Sequence, residues 1–311
     1  RVCGFKKTVN IQEEGHNTMP DAGDSSPPPS FVVELADIFT QQGFPEKGIK
    51  ILEPLFESGE LGKEPSLWLA RLHLGTNDLV RGMELVDQIL VRWPNTGQAW
   101  FLRGRGLQSE NKHDEALAAF AKGVQYSPDD PQVRVGYIRG MLVGWERDLQ
   151  VRSKNQAQLD KLAELHAQAM ATVGIVSDAD ADGQLVLGYA FRNTNELNLA
   201  VVAFGKAAHL PELKIPAALQ MSVCYDDLNE YEKARQVLEE LREQFPDNPE
   251  VANSLGYFLA EKGIDLDLAY DLIEEALKSD PGVGAYLDSM GWVLYQQGKN
   301  DDAFDYMIQA V

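Results

Sequence analysis

The sequence predicts an all-α protein built as a solenoid of about eight helix hairpins. Three observations lead to this prediction: two sets of small residues and one set of prolines recur with a period of 34 residues. The first small residues are Ala36, Ala70, Gly104, Gly188, Ser222, Gly256 and Gly291. The second small residues are Gly48, Gly82, Ala116, Ala200, Ala234, Ala269 and Ala303. The closing prolines are Pro94, Pro128, Pro246 and Pro281.

The third unit shows most clearly why this pattern predicts a hairpin. Trp100 and Gly104 are one turn apart on a first helix. Ala116 and Phe120 are one turn apart on a second helix, which Pro128 stops. A short polar turn separates the two helices. Because Gly104 and Ala116 are small, we expect the helices to approach closely there, with the two aromatic rings filling the surrounding space.

This helix hairpin, repeated at this period, resembles the tetratricopeptide repeat. The resemblance covers residues 30–311, about nine tenths of the chain. It implies a right-handed superhelix whose first helices line a concave groove that binds peptides or helices. The last two units are similar to those of bacterial repeat proteins, several of which are envelope lipoproteins.

The repeats can be placed in order along the chain. Residues 1–29 are rich in Gly, Asp, Ser and Pro and are predicted to be a disordered tail. Gly104 and Gly188 are 84 residues apart, against 68 for two plain repeats, so the fourth repeat carries an insertion. The predicted repeats span residues 30–62, 63–96, 97–130, 131–180, 181–214, 215–248, 249–283 and 284–311. No capping helix follows the last repeat, so we expect a fragment of a longer protein, which begins at Arg1 or at Met19.

The composition limits the classes of partner. Lys plus Arg number 28 and Asp plus Glu number 48, so the net charge is −20. This charge opposes nonspecific binding to nucleic acid or to anionic lipid. No apolar run is long enough for a membrane span, and no signal peptide is visible, which favours the cytoplasm. A periplasmic or outer-membrane-tethered location is the alternative if a signal precedes this segment. The oligomeric state is left open.

One acidic segment has the beginning of a calcium-binding pattern. Asp178, Asp180, Asp182 and Gly183 match the first half of a calcium loop. The position of the required bidentate glutamate is occupied by Tyr189, which cannot supply two carboxylate oxygens. We therefore expect an acidic linker whose last aspartate caps a helix, and neither a metal site nor a cofactor.

No motif for catalysis is present, so the sequence predicts a protein that is not an enzyme. The histidines are scattered, and no glycine-rich loop that could hold a phosphate appears. The predicted function is a scaffold or adaptor that binds other proteins. The alternative is a regulatory or substrate-binding arm of a larger enzyme, such as a glycosyltransferase, whose catalytic domain lies outside this segment.

The resemblance places the residue after each first small residue on the inner face of the superhelix. With two neighbours one turn away, this selects Arg71, Arg105, Arg139, Tyr189, Arg192, Tyr257, Trp292 and Tyr295 as the candidate partner-binding groove. We expect the arginines to hold an acidic or carboxylate-bearing segment, and the aromatic residues to anchor an apolar part of it. The alternative is that the arginines pair with acidic residues of adjacent helices.

Overall fold

The computed structural model describes residues 28–148 and 156–310. The tail predicted to be disordered lies almost entirely outside the described residues, as does the middle of the fourth repeat. The described residues form 16 α-helices, one short 3-10 helix and no strand. The first eight helices are α1 (Pro29–Gln41), α2 (Pro45–Glu57), α3 (Lys63–Gly75), α4 (Leu79–Arg92), α5 (Gly97–Ser109), α6 (His113–Tyr126), α7 (Pro131–Asp148) and α8 (Gln156–Thr172).

The second half of the chain continues the same order of elements. Its helices are α9 (Ala181–Asn193), α10 (Leu197–Ala207), α11 (Lys214–Asp227), α12 (Tyr231–Gln244), α13 (Pro249–Lys262), α14 (Leu266–Ser279), α15 (Gly284–Gln296) and α16 (Asn300–Gln309). Each odd-numbered helix packs against the even-numbered helix that follows it, and each hairpin packs against the next. The predicted all-α solenoid is confirmed. None of the described helices combines the length and the apolar character needed to cross a membrane.

Small residues let the two helices of a hairpin approach closely. A Cβ atom added to Gly104 would lie 2.5 to 2.8 Å from three ring atoms of Phe120, which is 1% exposed. Ala116 is equally buried on the facing helix. The same close approach joins Gly188 to Phe204, Gly256 to Ile273 and Gly291 to Met307. The periodic glycines are therefore packing positions, where any side chain would displace a buried neighbour.

The turn inside each hairpin requires a residue with positive φ. Asn77, Asn111, Asn195 and Asn229 have φ values of 60 to 65°, in the left-handed region. Glycine takes this position in other hairpins, at Gly43, Gly263 and Gly298. Asparagine and glycine adopt this conformation at lower cost than other residues do. One backbone conformation thus reverses the chain in seven of the hairpins among the described residues.

The fourth hairpin departs from the regular pattern. Its helices α7 and α8 have 18 and 17 residues, whereas the helices of the third hairpin have 13 and 14. Helix α7 contacts α6 on one side and both α8 and α9 on the other. The direct contact between α7 and α9 brings the fifth hairpin close to the third and fourth, although the insertion separates them in the sequence.

The core is divided among neighbouring hairpins, as expected for a solenoid. Buried apolar side chains form four clusters that follow one another along the chain. Cys224 belongs to the second-largest part of this core and is fully buried. Burial raises the pKa of the Cys224 thiol to about 11, so the thiol is protonated at neutral pH. Its predicted role as a small buried apolar residue agrees with this environment.

Candidate functional site

Three arginines from consecutive hairpins line one cavity. Arg71 lies on α3, Arg105 on α5 and Arg139 on α7, and the cavity that they share has a volume of about 830 Å³. We call this cavity the arginine groove. Its other lining residues are Phe101, Gln108, Ser109, Phe120, Pro131, Gln132, Val135, Gly136, Asp180 and Asp182. The regular stacking of the hairpins aligns the three side chains because each follows its helix in the same register.

The three guanidinium groups differ in their contacts. Arg139 Nη2 lies 2.6 Å from Asp182 Oδ2, in an ion pair with α9 whose side chains are 47% and 62% exposed. Among the residues that the structure describes, no hydrogen bond or ion pair reaches the guanidinium groups of Arg71 and Arg105. The expected alternative, pairing with acids of adjacent helices, therefore holds for Arg139 and for neither of the other two.

The acidic segment before α9 forms one wall of the arginine groove. Asp180 Oδ1 accepts a hydrogen bond from the Gly183 backbone N–H at 3.0 Å and so caps α9. The prediction that the last aspartate of the segment is the cap was wrong, because Asp182 lies in the first turn of α9 and binds Arg139 instead. Asp178 pairs with Lys206 at 2.6 Å. Among the described residues, no group of three or more His, Cys, Asp and Glu side chains could hold a metal ion.

The floor of the arginine groove is apolar. The rings of Phe101 and Phe120 are 5.9 Å apart and tilted by 44°. Two glycines of α7 admit these rings, because a Cβ atom on Gly136 would lie 2.4 Å from Phe101 and one on Gly140 would lie 3.0 Å from Phe120. The groove thus combines a fixed aromatic floor with cationic and amide side chains at its wall. Phe101 escaped the sequence analysis, although it lies one turn before Arg105.

Tyr189 and Arg192 lie on α9, outside the lining of the arginine groove. The Tyr189 ring packs edge-on against Phe204, with ring centroids 5.4 Å apart, and is partly buried on the core. Arg192 Nη1 donates a hydrogen bond to Gln220 Oε1 of α11 at 2.7 Å. Both side chains therefore already have partners within the chain, which distinguishes them from Arg71 and Arg105.

The remaining candidate residues form a separate surface on α13 and α15. Tyr257 and Tyr295 are 39% and 54% exposed, and Trp292 is half-buried. The rings of Trp292 and Tyr295 are 5.7 Å apart. We call these three side chains the aromatic face. The sequence placed the arginines and the aromatic residues on one inner face, whereas the structure groups only the arginines into a common cavity.

Comparisons with known proteins agree with this fold. Residues 69–131 and 195–256 each match a family model described as a tetratricopeptide repeat. A segment of 66 residues, 21% of this chain, is 47% identical to the TPR repeat-containing protein PA4667 of Pseudomonas aeruginosa and spans 11% of its length. The fold resembles a crystal structure of the APC/C hetero-tetramer Cut9-Hcn1, with a TM-score of 0.54 and 14% identity, over 86% of this chain and 48% of that one.

Proposed function

Since the chain is a tetratricopeptide repeat protein with a bacterial relative, we propose that it is a non-enzymatic scaffold that binds an acidic segment of a partner protein in the arginine groove. The repeats themselves suggest a protein–protein interaction scaffold. The chemistry of the bound segment is the finer part of the proposal, and it rests on the arginines.

The observation that carries the proposal is the absence of partners for Arg71 and Arg105 among the described residues. The chain has 48 acidic residues, and carboxylates pair with many of its other arginines. Examples of paired arginines are Arg81, Arg103, Arg235 and Arg242. Two guanidinium groups that share a cavity and have no carboxylate nearby in so acidic a chain form a site that fits an external carboxylate.

The ion pair between Arg139 and Asp182 supports the same chemistry. It presents one carboxylate to the third arginine at 2.6 Å, which is a normal distance for a charge-assisted hydrogen bond. Both side chains are well exposed, so the pair adds little stability and can exchange for another carboxylate. The Phe101 and Phe120 rings offer apolar contact to the same segment and would favour a peptide over a free anion.

The proposal is tested by the binding of a short fluorescent peptide that alternates glutamate and alanine. The variant Arg71→Gln/Arg105→Gln removes two unpaired positive charges from the groove. The matched control Arg103→Gln/Arg235→Gln removes two positive charges that already pair with carboxylates outside it. We expect the groove variant to bind about tenfold more weakly, and the parent to bind less tightly as salt rises from about 50 to about 500 mM.

Two outcomes contradict the proposal. If the groove variant and the control bind the peptide equally, the arginines do not form the site. If the parent does not bind the acidic peptide even at low salt, then the groove does not recognise acidic segments. Circular dichroism on each variant separates a loss of binding from a loss of folding.

A further inference from the structure

The aromatic face is surrounded by carboxylates. Glu261 lies on the same helix as Tyr257, one turn further along, and Asp288 lies one turn before Trp292 on α15. Both carboxyl groups are exposed and act electrostatically on Tyr257, as does Asp226 on α11. Burial is the main cause that raises the pKa of Tyr257, and these carboxylates raise it further. The environment of the exposed tyrosine is therefore electronegative.

The nearby cation does not neutralise this surface. Lys262 Nζ lies 2.7 Å from Asp226 Oδ1 and 3.6 Å from Glu261 Oε2. It also lies 4.6 Å from the centre of the Tyr231 ring. One ammonium group thus already serves two carboxylates, and Asp288 has no ion pair with any described residue. The aromatic face keeps a net negative charge of its own.

The charge of the helix register is reversed between the two halves of the chain. Tyr257 and Trp292 each follow the small residue that packs the hairpin, Gly256 or Gly291, as Arg105 follows Gly104. Equivalent positions therefore carry guanidinium groups in the first half and aromatic rings beside carboxylates in the second half. An acidic segment that binds the arginine groove would be repelled if it continued onto the aromatic face.

We propose that the aromatic face binds a lysine- or arginine-bearing segment of a partner protein. This inference rests on the proposed function, because it assigns a second and opposite charge preference to the same scaffold. The exposed rings of Tyr257 and Tyr295 bind cations through their π faces, and Glu261 and Asp288 pair with the same cations. A purely apolar segment fits less well, since it would remove these carboxylates from water without pairing them.

The test uses a short fluorescent peptide that alternates arginine and alanine, with a glutamine-alanine peptide as the neutral probe. The variant Glu261→Gln/Asp288→Asn removes two charges beside the aromatic face. The control Glu240→Gln/Asp271→Asn removes two exposed charges on α12 and α14. Since the whole chain is acidic, only the difference between these two variants reports a specific site.

We expect the aromatic-face variant to bind the basic peptide about five- to tenfold more weakly than the control does. Tyr257→Leu, which keeps every charge, should weaken binding by about threefold. Equal binding by the two charge variants, or undiminished binding by Tyr257→Leu, would overturn the inference. The groove variant Arg71→Gln/Arg105→Gln should bind the basic peptide as the parent does. Failure of the acidic-peptide experiment therefore leaves this result readable on its own.

Discussion

Gly104 provides the sharpest test of how the hairpins pack. A new Cβ atom in Gly104→Ala would lie 2.5 to 2.8 Å from three atoms of the Phe120 ring, far inside van der Waals contact. The ring is 1% exposed and also packs against Phe101, so it has little room to move. Overpacking of this kind costs about 1 to 3 kcal/mol in the free energy of unfolding. Replacement of glycine by alanine inside a helix contributes about 1 kcal/mol in the opposite direction.

A matched substitution separates these two effects. Gly205 lies inside α10, and the nearest atom to an added Cβ is Met221 Sδ at 3.9 Å, an ordinary contact. Gly205→Ala should therefore stabilise the protein by about 1 kcal/mol through helix propensity alone. The difference between the two variants isolates the clash, and we expect Gly104→Ala to be the less stable by about 1 to 3 kcal/mol.

Urea titration followed by circular dichroism gives the comparison. Because repeat arrays can unfold in more than one step, hydrogen exchange on α5 and α6 should accompany the global measurement. If Gly104→Ala is as stable as Gly205→Ala, then the Phe120 ring moves aside at no cost. In that case, the close approach of the helices does not explain the periodic glycine, and the reasoning given for all the hairpins is wrong.

Three other predictions follow from single contacts. Asn111→Ala should destabilise the third hairpin by about 1 kcal/mol because φ is 60° there, whereas Asn111→Gly should be tolerated, as measured by thermal melting. Asp182→Asn should release Arg139 and tighten binding of the acidic peptide about two- to threefold; unchanged affinity would mean that the ion pair does not compete with the ligand. Cys224 should resist alkylation at pH 8 in the folded protein and react after addition of denaturant, because burial raises the pKa of its thiol to about 11; mass spectrometry of the labelled peptides would reveal any early reaction.

Some information in the sequence was available but was not used. The turn residues Gly43, Asn77 and Asn111 follow the period of 34 residues, as do Asn195, Asn229 and Gly263. Asparagine and glycine at a fixed distance after each first small residue indicate a left-handed turn. This signal depends only on local backbone chemistry, and it would have placed the hairpin turns without any structure.

The sequence by itself determined the class of fold, because a solenoid is a sum of local units. Each unit repeats its small residues, its turn and its helix stop, so the pattern predicts every regular hairpin from its neighbours. The insertion in the fourth repeat was also visible, since it changes the distance between Gly104 and Gly188. The alignment of Arg71, Arg105 and Arg139 could be predicted for the same reason, because the period carries one register through consecutive helices.

Only the tertiary structure decided which of these side chains is available to a partner. Asp182 reaches Arg139 because α7 packs directly on α9 across the insertion, and no periodic rule predicts that contact. Arg71 and Arg105 have no such neighbour among the described residues, while Arg192 is held by an amide of the next hairpin. Pairing of charges depends on distances of a few ångströms between elements far apart in the sequence, whereas the repeat depends only on each element's own residues.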